Sequence, residues 1–205
     1  NLRCSMSKSN WKGSAAWGAA QDFTNILENN CLVLSSENKD FSEDYILQQL
    51  GSSTGLTYLN IGIKFNYAWN RNSFSRTEFG AVVRADNFTS GTTLASLAQN
   101  AYIGKINTAT RMAYICKRQN NSLLTLYSRS IDVNAISPET KNTFELKSYS
   151  TGVPVVELIL NNRVIISYRD TSRTPLNTGY VGLHCSTGNV YVTSVILLEY
   201  NESGA

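Results

Sequence analysis

The sequence has no long hydrophobic run, little proline and no helical period. No segment of the 205-residue chain approaches the roughly 20 apolar residues that a membrane-spanning helix needs. Proline occurs three times, and neither a heptad pattern nor a long amphipathic period is present. These absences argue against membrane insertion and against a helical bundle.

Charged residues are also scarce. They make up 16% of the chain, against roughly 25% in typical domains, and the net charge is +3 without a run of Lys or Arg. Nucleic-acid binding needs a basic groove with interleaved aromatic residues. Arg71, Arg76 and Arg84 near Tyr67 and Trp69 give only a faint version of it. We therefore expect no nucleic-acid partner, and a polar surface built from the 22 Asn and the many Ser and Thr residues.

Residues for nucleophilic catalysis or metal binding are few. The one histidine, His184, precedes Cys185, and adjacent strand residues point to opposite faces, so the two cannot pair as base and nucleophile. No G-x-S-x-G motif is present. The four cysteines include no C-x-x-C spacing and allow three full disulfide pairings. We slightly favour buried thiols and expect no catalytic residue.

What the sequence does contain is a series of β-strand patterns. Residues 56–69 alternate strictly, with apolar side chains from Leu59 to Trp69 and polar or small ones between them. The run 77–86 is the next strand, with Phe79, Ala81, Val83 and Ala85 on its core face. Further strands are predicted at 101–106, 110–117 and 123–129.

The last sixty residues show the same pattern. β-Branched and aromatic runs at 143–147, 155–168, 178–184 and 189–198 are separated by short turn signals. Asn161 and Asn162 lie where a two-residue hairpin turn needs positive φ. Together the patterns predict an all-β protein, a two-sheet antiparallel jelly-roll sandwich in a single domain over 1–205, with helix limited to short turns.

Several of these strands resemble a known superfamily. The stretches LILNNRVI, TGYVGLHC and VYVTSVILLEY, with FGAVVRAD, AYIGKI, RMAYICKR and LLTLYS before them, are similar to the concanavalin A-like lectin and glucanase domains, particularly laminin-G-like ones. The resemblance covers about residues 56–200 and consists of hydrophobic rhythm and glycine placement. It implies a two-sheet jelly roll and a sugar-binding or adhesive function.

The resemblance also raises two alternatives, hydrolysis and calcium binding. Glucanase members typically carry E-x-D-x-x-E or E-x-D-x-E on one strand, because retaining hydrolysis needs carboxylates about 5–5.5 Å apart. This chain has neither motif, and Glu78 and Glu157 lie singly on strands.

Related lectins bind Ca²⁺ through loop Asp and Asn, and Asp86, Asn87 and Asp170 qualify by residue type only. We predict no metal site and no cofactor, with Ca²⁺ as the open alternative.

The polar faces of two predicted strands form the candidate ligand site. Lys64 and Asn66 share one strand face, Glu78 and Arg84 share another, and antiparallel neighbours would bring the two sets together. The adjoining loop extends the surface with Trp69, Arg71 and Asn72. The structural alternative is that Trp69 closes the edge of the core and that Lys64 and Glu78 form an ordinary cross-strand pair.

The period-two pattern also predicts the core. The residues expected between the sheets are Leu59, Ile61, Ile63, Phe65, Phe79, Ala81, Val83, Leu158, Leu160, Val164 and Ile166.

The sequence favours a non-catalytic glycan-binding or adhesion module. Its partner would be a glycan or a cell-surface receptor, and it would be carried by a phage appendage or a cell-surface protein, extracellular or on a virion surface. It could also form a homo-oligomer or a larger assembly. One alternative is a structural virion protein that uses the fold for assembly only. The other is a glycoside hydrolase with an unorthodox acid pair.

Overall fold

The computed structural model is an antiparallel β-sandwich. It describes residues 2–3, 11–13, 16–19, 30–35, 44–48, 60–69, 78–86, 99–120, 122–132, 136–187 and 189–205, with backbone alone before residue 60 and at 186, 187 and 189. These described residues form fifteen strands. They are β1 Leu2–Arg3, β2 Trp11–Gly13, β3 Ala16–Ala19, β4 Asn30–Ser35, β5 Asp44–Gln48, β6 Ile61–Trp69, β7 Glu78–Ala85, β8 Ala101–Asn107, β9 Met112–Gln119, β10 Ser122–Ser130, β11 Asn142–Tyr149, β12 Val155–Leu160, β13 Arg163–Arg169, β14 Tyr180–Thr187 and β15 Asn189–Glu199.

The strands form two sheets. Sheet A has the order β13-β12-β11-β6-β15-β4-β3, with β1 also pairing with β15, and sheet B has the order β10-β9-β8-β7-β14-β5-β2. Every pairing is antiparallel. The described residues contain no α-helix, and none of their segments is a helix long and apolar enough to cross a membrane. The predicted two-sheet jelly roll is confirmed.

The core lies between the sheets and is centred on aromatic rings. Phe65 of sheet A stacks on Phe144 with ring centroids 5.0 Å apart. Tyr67 meets Phe79 of sheet B edge-on at 4.8 Å, a favourable geometry for aromatic pairs. Nine of the predicted core residues are buried as expected, namely Ile61, Ile63, Phe65, Phe79, Ala81, Val83, Leu158, Leu160 and Ile166. Leu59 lies outside the described residues.

The prediction for Val164 is wrong, because a β-bulge intervenes. Val164 is 48% exposed, whereas Ile166 is 2% exposed. The pairing of β12 with β13 slips between Leu158 and Ile159, so that Ile159 faces Val164 and Leu158 faces Ile166. The extra residue, Ile165, packs against the core. One inserted residue turns every side chain beyond it to the other face of the sheet.

A second bulge reverses the end of β7. Arg84 has φ 52°, and the register with β14 slips between Tyr180 and Gly182. Arg84, expected on the polar face, is instead fully buried, and its Nη1 donates to the Leu176 carbonyl at 2.9 Å. Ala85, expected in the core, belongs to a separate buried cluster with Val82. Arg84 and Ala85 therefore differ from the prediction for the same reason as Val164, namely a β-bulge.

Other local predictions are confirmed. Asn161 and Asn162 have φ 49° and 64° and join β12 to β13 with Leu160 facing Arg163, as a hairpin of this type requires. Cys116 and Cys185 are buried thiols. Cys4 and Cys31 lie where side chains are not described.

Candidate functional site

The structure separates the residues predicted to form one ligand surface. Strand β6, with Lys64 and Asn66, is in sheet A, whereas β7, with Glu78, is in sheet B. Because Ile63 and Phe79 belong to the core between the sheets, the alternating residues Lys64 and Glu78 lie on opposite outer faces of the sandwich. The prediction that antiparallel pairing would unite them is wrong, and so is the alternative of a Lys64–Glu78 cross-strand pair.

Two further residues of that predicted surface, Trp69 and Arg84, also lie away from it. Trp69 packs against the core, and its Nε1 donates to the Ile136 carbonyl at 3.1 Å. This is the structural role given as the alternative. Arg84 points inward, as described above. Arg71 and Asn72 lie outside the described residues.

The outer face of sheet A beside Lys64 is covered by the residues after β15. Tyr200 donates a hydrogen bond from its hydroxyl to Glu145, and Lys147 Nζ lies 4.3 Å from the centroid of the Tyr200 ring. A Cβ at Gly62 would lie 2.9 Å from this ring. Burial, reinforced by Glu145, raises the pKa of the Tyr200 hydroxyl. This face therefore carries a packed side-chain cluster.

The outer face of sheet B holds a polar group that is partly accessible. Glu78 on β7 accepts hydrogen bonds from two residues of β8, from Lys105 Nζ at 2.8 Å and from Asn107 Nδ2 at 3.0 Å. The side chains of Lys105 and Glu78 retain 13% and 20% exposure. Lys105 Nζ also lies 5.9 Å from the ring centroid of Tyr114 on β9. We call Glu78, Lys105, Asn107 and Tyr114 the polar patch.

Strand register brings the patch together. Gly80 of β7 faces Lys105 of β8, which faces Tyr114 of β9. On the other side Gly80 faces His184 of β14. His184 is buried on this face, while its neighbour Cys185 enters the core, as the predicted alternation requires. A Cβ at Gly80 would lie 1.9 Å from the Gly104 carbonyl oxygen, so only glycine permits β7 and β8 to approach this closely.

The chemistry of the polar patch suits a polyhydroxylated ligand. Lys105 supplies N–H donors, Glu78 supplies an acceptor, and Tyr114 supplies a partly exposed aromatic ring, while Asn107, which is 4% exposed, holds Glu78 in place. Their mutual hydrogen bonds fix the side chains before any ligand arrives, which reduces the entropy lost on binding. Of the predicted site residues, Glu78 is the one that lies in this patch. The prediction missed Lys105, Asn107 and Tyr114. Lys105 and Tyr114 follow the same alternation in the strands predicted at 101–106 and 110–117, whereas Asn107 lies just beyond the first of them.

A buried ionic network lies on the opposite, inner side of sheet B. Lys117 Nζ lies 2.8 Å from Asp170 Oδ2, and Tyr102 donates to the same oxygen at 2.5 Å. Burial favours a higher pKa for Asp170, but hydrogen bonds from Lys117, Ser172 and Tyr102 outweigh it and lower the pKa to about 2. Lys117 also donates to the Thr174 carbonyl at 2.6 Å. The network fastens the connection between β13 and β14 to sheet B.

The calcium candidates have structural partners. Asp170 is committed to Lys117 and Tyr102. Asp86 Oδ1 accepts hydrogen bonds from the backbone N–H groups of Gln99 and Asn100, at 3.1 and 3.0 Å. Asn87 lies outside the described residues. Within the described part of the chain, no group of three or more His, Cys, Asp or Glu side chains could hold a metal ion.

Comparison with known proteins identifies the fold. No family profile matches the sequence, and no curated protein sequence is significantly similar. The structure resembles the carbohydrate-binding module CBM66 of Bacillus subtilis, with a TM-score of 0.64, 12% identity, and coverage of 92% of this chain and 94% of that one. A B. subtilis protein with a galectin-like fold gives a TM-score of 0.64 at 11% identity, with 97% and 96% covered. The lumenal domain of VIP36, solved with Ca²⁺ and Man3GlcNAc, gives 0.59 at 12% identity, with 97% and 90% covered. The chain therefore has a jelly-roll lectin fold of the concanavalin A-like type.

Proposed function

We propose that this protein is a non-catalytic glycan-binding module whose ligand lies on the polar patch. The observation that carries the proposal is the fixed arrangement of Glu78 with Lys105 and Asn107 beside the ring of Tyr114. Sugar hydroxyls both donate and accept hydrogen bonds, so a patch that offers both functions on rigid strands is complementary to them. The lectin and carbohydrate-binding domains that share the fold support the same function.

We propose a non-catalytic module because of the residues that surround Glu78. Its two carboxylate oxygens accept hydrogen bonds from Lys105 and Asn107, so both are already engaged within the patch. The polar patch contains no second carboxylate. A retaining or inverting glycosidase needs two.

A glycan array with matched variants tests the function. Tyr114→Ala and Lys105→Gln should each weaken binding of the selected glycan about tenfold, because each removes a ligand contact of about 1–2 kcal/mol. Lys64→Gln removes the same charge from the opposite face and should leave binding unchanged. Equal losses from Lys105→Gln and Lys64→Gln would move the site away from the polar patch.

We further propose that the module serves adhesion, recognising a glycan or cell-surface receptor from an extracellular position or a virion surface such as a phage appendage. The surface rich in Asn, Ser and Thr and the low charge support this setting. The alternative, a structural virion protein, predicts instead that the outer face of sheet B is covered by another subunit. Protection of the β8–β9 face from hydrogen exchange in the native assembly, together with no array signal, would favour that alternative.

A further inference from the structure

A groove opens at the edge of the sandwich beside the polar patch. It lies between the edge strands β10 and β13, has a volume of about 200 Å³, and is lined by residues 129–132 and 163–165. At about 30 Å³ per water molecule this corresponds to roughly six or seven waters, the scale of one sugar ring.

The groove is lined by two arginines and one acid. Arg129 and Arg163 are both exposed, and Asp132 is the single carboxylate of the lining. Arg129 Nη1 donates to the Ile165 carbonyl at 2.8 Å, which fixes the side chain across the groove. A guanidinium carries five N–H donors, so donors remain for a ligand. The lining also includes Ser130 and Val164, the 48% exposed residue that the bulge turned outward.

The groove continues a row of residues that begins in the polar patch. Glu78 faces Asn107, Asn107 faces Met112, and Met112 faces Ser130 across successive strands of sheet B. Neighbouring strands are about 4.8 Å apart, so Glu78 and the groove are separated by about 14 Å. A single oligosaccharide laid across β7 to β10 would therefore reach both.

We propose that the groove binds an acidic sugar residue, and that the glycan recognised by this module is an acidic oligosaccharide. The inference rests on the glycan-binding function proposed above. The anionic group, a carboxylate or a sulfate ester, would accept hydrogen bonds from Arg129 and Arg163, since guanidinium groups match such oxyanions in shape and charge. Ring hydroxyls would meet Ser130 and Asp132, and an apolar ring face would lie on Val164.

The test uses paired glycans. Uronate-containing, sialylated and sulfated oligosaccharides are arrayed beside their carboxyl-reduced, desialylated or desulfated counterparts. The whole chain should bind an acidic member at least about tenfold more tightly than its neutral partner, the size expected for one charge-assisted hydrogen bond. Arg163→Gln should abolish most of that preference, so that the acidic member and its neutral partner bind with affinities within about threefold of each other. Arg173→Gln, which removes an exposed arginine outside the groove, should retain it.

The outcomes separate the two proposals. Binding of neutral and acidic partners with equal affinity would overturn the acidic-ligand inference and leave the glycan-binding function standing. Equal losses from Arg163→Gln and Arg173→Gln would also overturn it, because bulk charge and not the groove would then be responsible. Binding of no glycan in either set would overturn both.

Discussion

Lys117 and Asp170 form an ion pair inside the sandwich, with 2.8 Å between Nζ and Oδ2 and side-chain exposures of 2% and 3%. The pair joins β9, next to the edge strand of sheet B, to the connection that leaves sheet A. Tyr102, which donates to the same carboxylate, also accepts a hydrogen bond from the backbone N–H of Leu176 at 3.1 Å. The pair therefore belongs to a network that places the whole β13–β14 connection.

Breaking the Lys117–Asp170 ion pair should destabilise the folded protein. Asp170→Asn leaves the Lys117 ammonium buried without its counter-charge, and we expect the free energy of unfolding to fall by about 3–5 kcal/mol. Urea denaturation measures the change. The double variant Lys117→Met with Asp170→Leu serves as the control and should cost less, because no charge stays buried. A loss below about 1 kcal/mol for Asp170→Asn would mean that Lys117 reaches water easily.

The same carboxylate predicts a response to acid. Its pKa is lowered from 3.8 to about 2 in the folded protein, so the unfolded chain binds the proton first as the pH falls. The stabilisation by Asp170 is therefore complete above about pH 4 and is lost as the pH falls toward 2. The difference in unfolding free energy between the wild type and Asp170→Asn should narrow across this interval. A difference that stays constant from pH 5 to pH 2 would contradict the assignment.

Two neighbouring apolar residues test the bulge in β13. Ile166→Ala removes a fully packed side chain and should cost about 2–5 kcal/mol. Val164→Ala acts on an exposed position and should change stability by no more than about 1 kcal/mol. Chemical denaturation of the two variants under identical conditions decides the register. Large and similar losses from both variants would show that the strand runs straight through residue 165, because both side chains would then face the core.

Gly80 offers a test of strand spacing within the proposed site. In Gly80→Ala the new Cβ would meet backbone, the Gly104 oxygen at 1.9 Å and the Lys105 Cα at 2.7 Å, and we expect a loss of at least about 1–3 kcal/mol. Gly104→Ala is the matched control. Its Cβ would meet a methyl group of Leu146 at 2.3 Å, the end of a side chain that can rotate, so its cost should be smaller. Thermal melts of both variants would rank them.

The sequence predicts strands well wherever alternation is uninterrupted. From Ile61 to Phe65 and from Phe79 to Val83 the residues predicted to face the core do so. On the alternate face Lys64 is half-buried, whereas Gly62, Gly80 and Val82 are buried as well. The prediction fails beyond Arg84 and before Ile166, where a bulge adds one residue to one strand of a pair. A bulge is defined by the register between two paired strands, so alternation within one strand cannot reveal it.

The prediction of the ligand site was wrong for a different reason. Pairing Lys64 with Glu78 assumed that consecutive strands are neighbours, which holds for β7 to β10 but not for β6 and β7. Applying the hairpin assumption to β7, β8 and β9 would have placed Glu78 next to Lys105 and Asn107. Alternation predicts which side chains share a strand face. It does not show whether two consecutive strands pair as a hairpin or belong to different sheets.

The position of the last two strands has a consequence for synthesis of the chain. β14 lies between β7 and β5 in sheet B, and β15 lies between β6 and β4 in sheet A. Each sheet therefore receives an interior strand from residues 180–199, which are synthesised after all the other described strands of the sandwich. Until then the nascent chain holds two incomplete sheets with unpaired edges that can bind other chains. We expect the hairpin series β7–β10 to form early, and chaperone dependence to end only when β15 has been inserted.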